Sequence, residues 1–285
     1  MEPPVILADI QNQFTSGLSA FYPVDEIRNI FFLVSEHLLN YSKIDILLKS
    51  NESISAETAE NFNQVLTRLR NWEPVQYILG RTEFYGLPFR VDQGVLIPRP
   101  ETEELVDWII RQEGARKVSI LDIGTGSGCI AVALSARLPG AGVWACDIQH
   151  EALEVAGENA QRNGVEISFF SFDMLNGQSS LPCKFDVMVS NPPYVREEEK
   201  AFMRRNVLDY EPSVALYVPD DDPLKYYRSI ALLARKYLND GGSLYLEINE
   251  KFPQEVVKLL KNAGLYAVEV KRDLGGKSRM VRGKK

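Results

Sequence analysis

The amino-acid sequence predicts an α/β chain in which a doubly wound, mostly parallel sheet, finished by an antiparallel C-terminal hairpin, follows a small helical bundle. Three observations predict it. Apolar residues recur at helical spacing from Val5 to about Trp72. From Val118 onward, strand-like apolar runs alternate with helical ones, the pattern of a parallel sheet with helices on both faces. The last two strand-like runs, Tyr266 to Lys271 and Arg279 to Arg282, are joined through Gly275-Gly276 by a stretch too short for a crossover helix, so they should pair antiparallel.

Taken in order, the helical bundle rests first on Val24, Ile27, Ile30, Phe31, Val34 and Leu38, which share one helix face. Ala59, Phe62, Val65, Leu66 and Leu69 form a second stripe, with Ser55 placed to cap its start and Glu57 in the first turn. Between Pro74 and Pro98 the pattern shifts to short apolar runs broken by Gly80, Gly86, Pro88 and Gly94, which predicts a β-hairpin linker over residues 74–98 between a bundle over residues 1–73 and a second domain over residues 99–285. That domain opens with Leu105, Val106, Ile109 and Ile110 on a helix. Its strands are expected at Val118 to Ile123, Val143 to Asp147, Ile167 to Phe172, Phe185 to Ser190 and Ser243 to Ile248.

A length of 285 residues leaves room for two domains and a sizeable core. The formal charge of −7 supplies no long-range attraction to a nucleic-acid backbone, so direct binding of duplex DNA is not expected. Cys129, Cys146 and Cys183 lack the C-x-x-C spacing of a zinc or redox pair, which suits a reducing compartment. The amino terminus, Met1, Glu2 and two prolines, carries no basic-then-apolar leader pattern, and no later run approaches the roughly 18 apolar residues that span a bilayer. These features set the expectation of a cytoplasmic protein with no membrane partner; a monomer is expected besides.

Two loops carry chemistry. Gly124-Thr125-Gly126-Ser127-Gly128 follows the first strand and leads into the helical run Ile130 to Leu138. Glycines there allow a tight turn and a close approach to a ligand, with helix N-terminal N–H groups available to it. Asp147 closes the next strand, where an acidic residue accepts from a ribose diol. A bound nucleoside follows. Gly126, Gly128 and Ala131 also satisfy the relaxed dinucleotide pattern, so a NAD enzyme stays open on this loop alone.

The second loop, Asn191-Pro192-Pro193-Tyr194, follows the strand Phe185 to Ser190 and should face the same crevice. Paired prolines stiffen the loop and leave carbonyls free to accept. An amide nitrogen is a poor nucleophile. A site that methylates one must accept both of its N–H bonds while aiming the nitrogen at the methyl donor, and Asn191 Oδ1 with the Pro192 carbonyl could do so. Tyr194 would offer a face for a planar amide or base. Neither a metal nor a covalent intermediate is needed, because in-line displacement from a sulfonium requires positioning and desolvation above all.

These loops, with several other stretches, resemble the HemK/PrmC family of release-factor glutamine methyltransferases over most of the chain. Glu73-Pro74-Val75-Gln76-Tyr77-Ile78-Leu79-Gly80, Glu83-Phe84-Tyr85-Gly86-Leu87 and Val95-Leu96-Ile97-Pro98-Arg99-Pro100-Glu101-Thr102-Glu103 carry the likeness, as do Tyr210-Glu211-Pro212 with Ala215-Leu216, and Asp273-Leu274-Gly275-Gly276 with Arg279. The resemblance implies a Rossmann-like S-adenosylmethionine-dependent methyltransferase sheet. It implies S-adenosyl-L-methionine bound by Gly124, Thr125, Gly126, Ser127, Gly128, Asp147, Asp173, Met174 and Asn191, with S-adenosyl-L-homocysteine as product. It further implies that Asn191, Pro192, Pro193 and Tyr194 receive the glutamine of the Gly-Gly-Gln motif of translation release factors, with Asn191, Pro192 and Tyr194 catalytic, and that the helical bundle docks those factors. Two positions depart from the family pattern. Asp173-Met174 stands where an aromatic residue commonly follows the acid, and Asn249 where a glycine is usual.

Other residues have plainer readings. His37 and His150 adjoin no candidate nucleophile. Asp122 is expected to order the glycine loop by accepting backbone N–H groups, Met174 fills core as readily as it walls a cofactor, and Arg99 braces its segment near the cofactor. Lys271, Arg272, Lys277, Arg279, Arg282, Lys284 and Lys285 read as a solvated basic face. The competing functions are adenine-N6 methylation of nucleic acid, glutamine methylation of a ribosomal protein, and a nucleoside-binding adaptor without catalysis.

Overall fold

In the computed structural model, residues 5–114, 116–176 and 180–285 are described; Met1, Glu2 and the two prolines of the amino terminus lie outside them. Two compact units emerge, one running to Gly80 and taking in Arg204–Tyr210, the other made of Arg81–Met203 and Glu211–Lys285.

The first unit is built of α1 (Leu7–Leu18), α2 (Val24–Leu39), α3 (Lys43–Leu48), α4 (Ala56–Arg70) and α5 (Val75–Leu79). Ile27, Ile30, Phe31 and Val34 of α2 and all five stripe residues of α4 are buried and mark core faces, whereas Val24 at the start of α2 is exposed and Leu38 near its end half-buried. Phe14 stands edge-on to Phe31 and Phe62, with ring centroids 5.5 and 5.9 Å away. Ser55 caps α4, its hydroxyl accepting the Thr58 N–H at 3.0 Å. Residues far downstream complete this unit. The Arg204 guanidinium reaches both carboxylate oxygens of Glu26 (3.1 and 3.0 Å), and the Tyr210 hydroxyl donates to the Asn71 carbonyl at 2.9 Å.

The expected hairpin between Pro74 and Pro98 is narrower than its sequence window. Residues after Pro74 first make α5, which ends at Gly80 with φ of 66°, and only then come β1 (Arg81–Phe84) and β2 (Leu87–Arg90), paired antiparallel across Tyr85-Gly86. The rest of the second unit comprises α6 (Pro100–Glu113), β3 (Ser119–Ile123), α7 (Cys129–Arg137), β4 (Gly142–Asp147), α8 (His150–Arg162), β5 (Ser168–Ser171) and β6 (Phe185–Ser190). After β6 come β7 (Val195–Arg196), a 3-10 turn (Glu197–Phe202), α9 (Arg205–Leu208) of the first unit, α10 (Ser213–Leu216) and β8 (Tyr217–Val218). The chain ends with α11 (Lys225–Tyr237), β9 (Leu238–Glu247), α12 (Pro253–Asn262), β10 (Tyr266–Arg272) and β11 (Ser278–Lys284).

Seven of these strands form one sheet in the order β10-β11-β9-β6-β3-β4-β5. β9, β6, β3, β4 and β5 run parallel, and β11 turns back against β9 with β10 antiparallel beyond it. The C-terminal hairpin is therefore as the short glycine connection requires. Strand β9 starts at Leu238 rather than Ser243. Successive strand residues serve opposite faces. Ile120, Val187 and Val189 join Leu105, Val106 and Ile109 of α6 and the buried face of α7, while Leu121, Ile123 and Met188 join Tyr227, Ile230 and Ala234 of α11 and Val256 and Leu260 of α12. Chain order reverses at β3, which has β4 on one side and β6 on the other. Loops at the carboxyl ends of these strands open a crevice at that switch point.

Candidate active site

Backbone geometry shapes the first wall. Past Ile123 the chain turns under the end of β4, and the N–H groups of Gly124 and Thr125 both donate to the Cys146 carbonyl, at 2.8 and 3.0 Å. Gly124, Gly126 and Gly128 have φ of 71°, 54° and 79°, where L side chains are strained. Gly128 is constrained by space as well: a Cβ there would lie 2.9 Å from Cβ of Ala156 on α8. The third glycine thus lets the start of α7 pack tightly on α8.

Asp147 is ordered by that loop. Its Oδ2 accepts the Gly126 N–H at 2.9 Å and its Oδ1 the Gln149 N–H at 3.0 Å, leaving a lone pair on each oxygen for a diol. Burial raises its pKa against the pull of the Gln149, Gly126 and Ile148 N–H groups. Asp122 sits deeper and fully buried, accepting the Thr125 hydroxyl at 2.6 Å. Burial pushes its carboxyl up to about 7. It orders the loop, but through the Thr125 side-chain hydroxyl rather than the expected backbone N–H groups.

Sequence reasoning missed Asn159. Fully buried on α8, it donates from Nδ2 to the carbonyls of Ser127 and Arg90 (both 2.9 Å) and accepts the Arg90 N–H at 2.6 Å. One amide side chain therefore ties the glycine loop to β2. The available signal was an asparagine within the apolar stripe Ala152, Val155, Ala156, Ala160.

Around these groups lies a cleft walled by Gly124 to Ser127, Asp147 to Gln149, Phe172 to Leu175, Asn191, Pro193 and Tyr226. Met174 is a wall residue: its Cε lies 3.4 Å from where a Gly124 Cβ would be, and its carbonyl accepts the Ser229 hydroxyl. Asp173 accepts the Leu175 N–H at 2.9 Å and also faces the cleft. Gly128 stands behind the wall, against Ala156. Arg99 lines the cleft too. Its Nη2 lies 2.6 Å from Oε1 of the buried Glu211, whose Oε2 accepts the Ile97 N–H at 3.3 Å, so the brace runs from residue 97 to residue 211.

Side chains, rather than backbone, hold the tetrad. The Ser190 hydroxyl donates to the Ile123 carbonyl at 2.6 Å and fixes the end of β6 beside the glycine loop. Asn191 Nδ2 donates to Thr102 Oγ1 at 3.1 Å, Thr102 Oγ1 donates to Glu247 Oε2 at 2.6 Å, and the Tyr194 hydroxyl donates to Glu247 Oε1 at 2.8 Å. Asn249 Nδ2 reaches the Tyr194 carbonyl and Glu199 Oε2, both at 3.0 Å. Asn249 thereby bolts the tetrad to the 3-10 turn.

Asn191 and Pro193 face the cleft; Pro192 is buried and Tyr194 is not among the walls. The Tyr194 hydroxyl is held by buried Glu247, and its half-buried ring packs against the core cluster that includes α11. The basic terminal face needs correcting at two positions. Arg279 is paired with Asp273 at 3.2 Å, and Arg282 with Glu269 at 3.0 Å beside Trp108 and Tyr245, their side chains only 14 % and 11 % exposed. His37 and His150 are exposed helix residues. Among the described residues no cluster of His, Cys, Asp and Glu could hold a metal, and no helix is long and apolar enough to cross a membrane.

This geometry has relatives. A release factor glutamine methyltransferase of Flavobacterium psychrophilum is 40 % identical over 98 % of this chain and 99 % of its own, and one of Bacteroides thetaiotaomicron is 42 % identical over 93 % and 95 %. The chain belongs to the release factor glutamine methyltransferase family. Within this family member, residues 9–80 match the PrmC N-terminal domain and residues 102–208 the methyltransferase small domain. Two solved structures share the sheet architecture at TM-score 0.52: a methyltransferase from Pyrococcus furiosus (19 % identity, 71 % of this chain and 90 % of that one) and the 16S rRNA N2 G1207 methyltransferase of Thermus thermophilus (18 %, 72 % and 49 %). At such identities they speak to fold alone.

Proposed function

We propose that this chain methylates the side-chain amide nitrogen (N5) of the glutamine in the Gly-Gly-Gln motif of translation release factors, using S-adenosyl-L-methionine. The observation that carries the reading is Asn191, pinned through Nδ2 to Thr102 and facing the same cleft as the glycine loop and Asp147. The residues present fit the cofactor. Asp147 has lone pairs for the ribose diol, Gly124 to Ser127 offer close backbone approach, and Phe172, Met174, Ile148 and Tyr226 make an apolar wall for a base.

The cofactor supplies an electrophilic methyl on a sulfonium and leaves as S-adenosyl-L-homocysteine. The chain's task is to hold the amide. Asn191 Oδ1 accepts one N–H of the glutamine and the Pro192 carbonyl the other, which orients the nitrogen lone pair toward the methyl. Pro193 keeps the loop stiff and the approach dry. Tyr194 acts from behind, through Glu247. The proton lost after transfer goes to solvent, since a protonated N-alkyl amide is a strong acid. The first unit docks the release factor, and the protein works as a cytoplasmic monomer.

Supplying labelled S-adenosyl-L-methionine with release factor and duplex DNA together tests this. Label should enter the release factor; label in DNA with the release factor untouched would overturn the reading.

A further inference from the structure

Glu247 ends β9 with its side chain fully enclosed, and in the mechanism above it meets Tyr194 but no substrate. It is not a wall of the cleft. Both of its oxygens are engaged by hydroxyls, Thr102 on Oε2 and Tyr194 on Oε1. Those two donors and the nearby Arg279 charge oppose the burial that raises its pKa. In this arrangement each hydroxyl spends its single proton on Glu247. Thr102 Oγ1 is then left with lone pairs alone. The partner it can take is a donor, and the donor it takes is Asn191 Nδ2 at 3.1 Å.

An asparagine amide presents a donor and an acceptor end of nearly the same shape, and nothing in its sterics chooses between them. The wrong choice would set an N–H against the N–H of an incoming amide. We infer that Thr102 and Glu247 are positioning residues that fix the hydrogen-bond polarity of Asn191, committing its NH2 end to the protein and its oxygen to the substrate amide. The polarity originates at Glu247, passes through one hydroxyl and ends at the substrate nitrogen. Thr102 lies 145 residues from Glu247 and 89 from Asn191, and the sheet brings the three together. This inference rests on the proposed amide grip of Asn191.

The test compares four variants of the full chain by steady-state kinetics with a release factor, alongside calorimetric binding of S-adenosyl-L-methionine. Thr102→Val keeps the shape and removes the hydroxyl; kcat should fall about 10- to 100-fold, the loss typical of one misplaced transition-state hydrogen bond. Cofactor affinity should stay within about twofold, because Asp147 and the glycine loop are untouched. Thr102→Ser should restore most of the rate. Glu247→Gln presents a donor to one of the two hydroxyls and should lower kcat as well, from a position that contacts no ligand. Asn191→Ala separates the two claims. If it abolishes transfer while Thr102→Val and Glu247→Gln keep full kcat, the polarity relay is wrong and the amide grip stands. If Asn191→Ala is fully active, the grip itself fails. Equal losses in Thr102→Val and Thr102→Ser, or a loss in cofactor affinity matching the loss in rate, would also overturn the relay, because packing rather than polarity would be at issue.

Discussion

The glycine loop and the proline tetrad sit at the ends of adjacent strands and face one cleft, yet they are held in opposite ways. The glycine loop is gripped largely by its own backbone groups: two N–H groups on the Cys146 carbonyl, a third on the Asp147 carboxylate, the Ser127 carbonyl on Asn159, and an approach to Ala156 that no side chain would permit. The tetrad is fixed by buried side chains on other elements, with Thr102, Glu247 and Asn249 each holding one of its members. A loop set by backbone can grip an invariant ligand such as a nucleoside. A loop set by side-chain hydrogen bonds can also impose polarity, which is what selection of an amide requires.

If that contrast is right, damage to the two loops should read out differently. The largest effect is expected at Asn191→Ala, with kcat down on the order of 100-fold or more and cofactor affinity changed far less, measured by single-turnover transfer and calorimetry. Next comes Gly128→Ala. Its new Cβ meets Ala156 at a strained φ, and stability should drop by about 2 to 3 kcal/mol in urea unfolding, with activity per folded molecule largely kept. Asp147→Ala should weaken S-adenosyl-L-methionine about tenfold while kcat at saturation is mostly preserved; unchanged affinity would remove the ribose role.

The smallest effect concerns Asp122. Its folded pKa, near 7, lies above the unfolded value of 3.8, so its contribution to stability is fully present below about pH 4 and is lost as pH rises through 7. Urea midpoints at about pH 5 and about pH 8 should therefore differ more in the parent than in Asp122→Asn, which cannot titrate. Equal pH slopes in the two proteins would show that Asp122 does not titrate in this window.

The same contrast explains what the sequence disclosed. Gly124 to Gly128 and Asp147 act through local spacing and strand order, and those are written along the chain; so are the stripe of α4, its Ser55 cap and the C-terminal hairpin. Asn159, Thr102 and Glu247 act through partners 32 to 145 residues away, where periodicity carries no signal. The partner of Tyr194 was hidden for the same reason: the tetrad shows an aromatic ring beside the site, but only the fold shows Glu247 holding its hydroxyl. The closing of the first unit by Arg204–Tyr210 was equally hidden, since Glu26 and Asn71 become its partners only in three dimensions. Arg279 and Arg282 look like tail charges until Asp273 and Glu269 are seen beside them.

The account stands on a glutamine amide being gripped at Asn191 and methylated there. Tandem mass spectrometry of a release factor, after incubation with S-adenosyl-L-methionine and either the parent chain or Asn191→Ala, addresses this most directly. One added methyl on the side-chain nitrogen of the Gly-Gly-Gln glutamine, absent with the variant, is the predicted result. An unmodified glutamine with the parent, or full methylation by the variant, would contradict it.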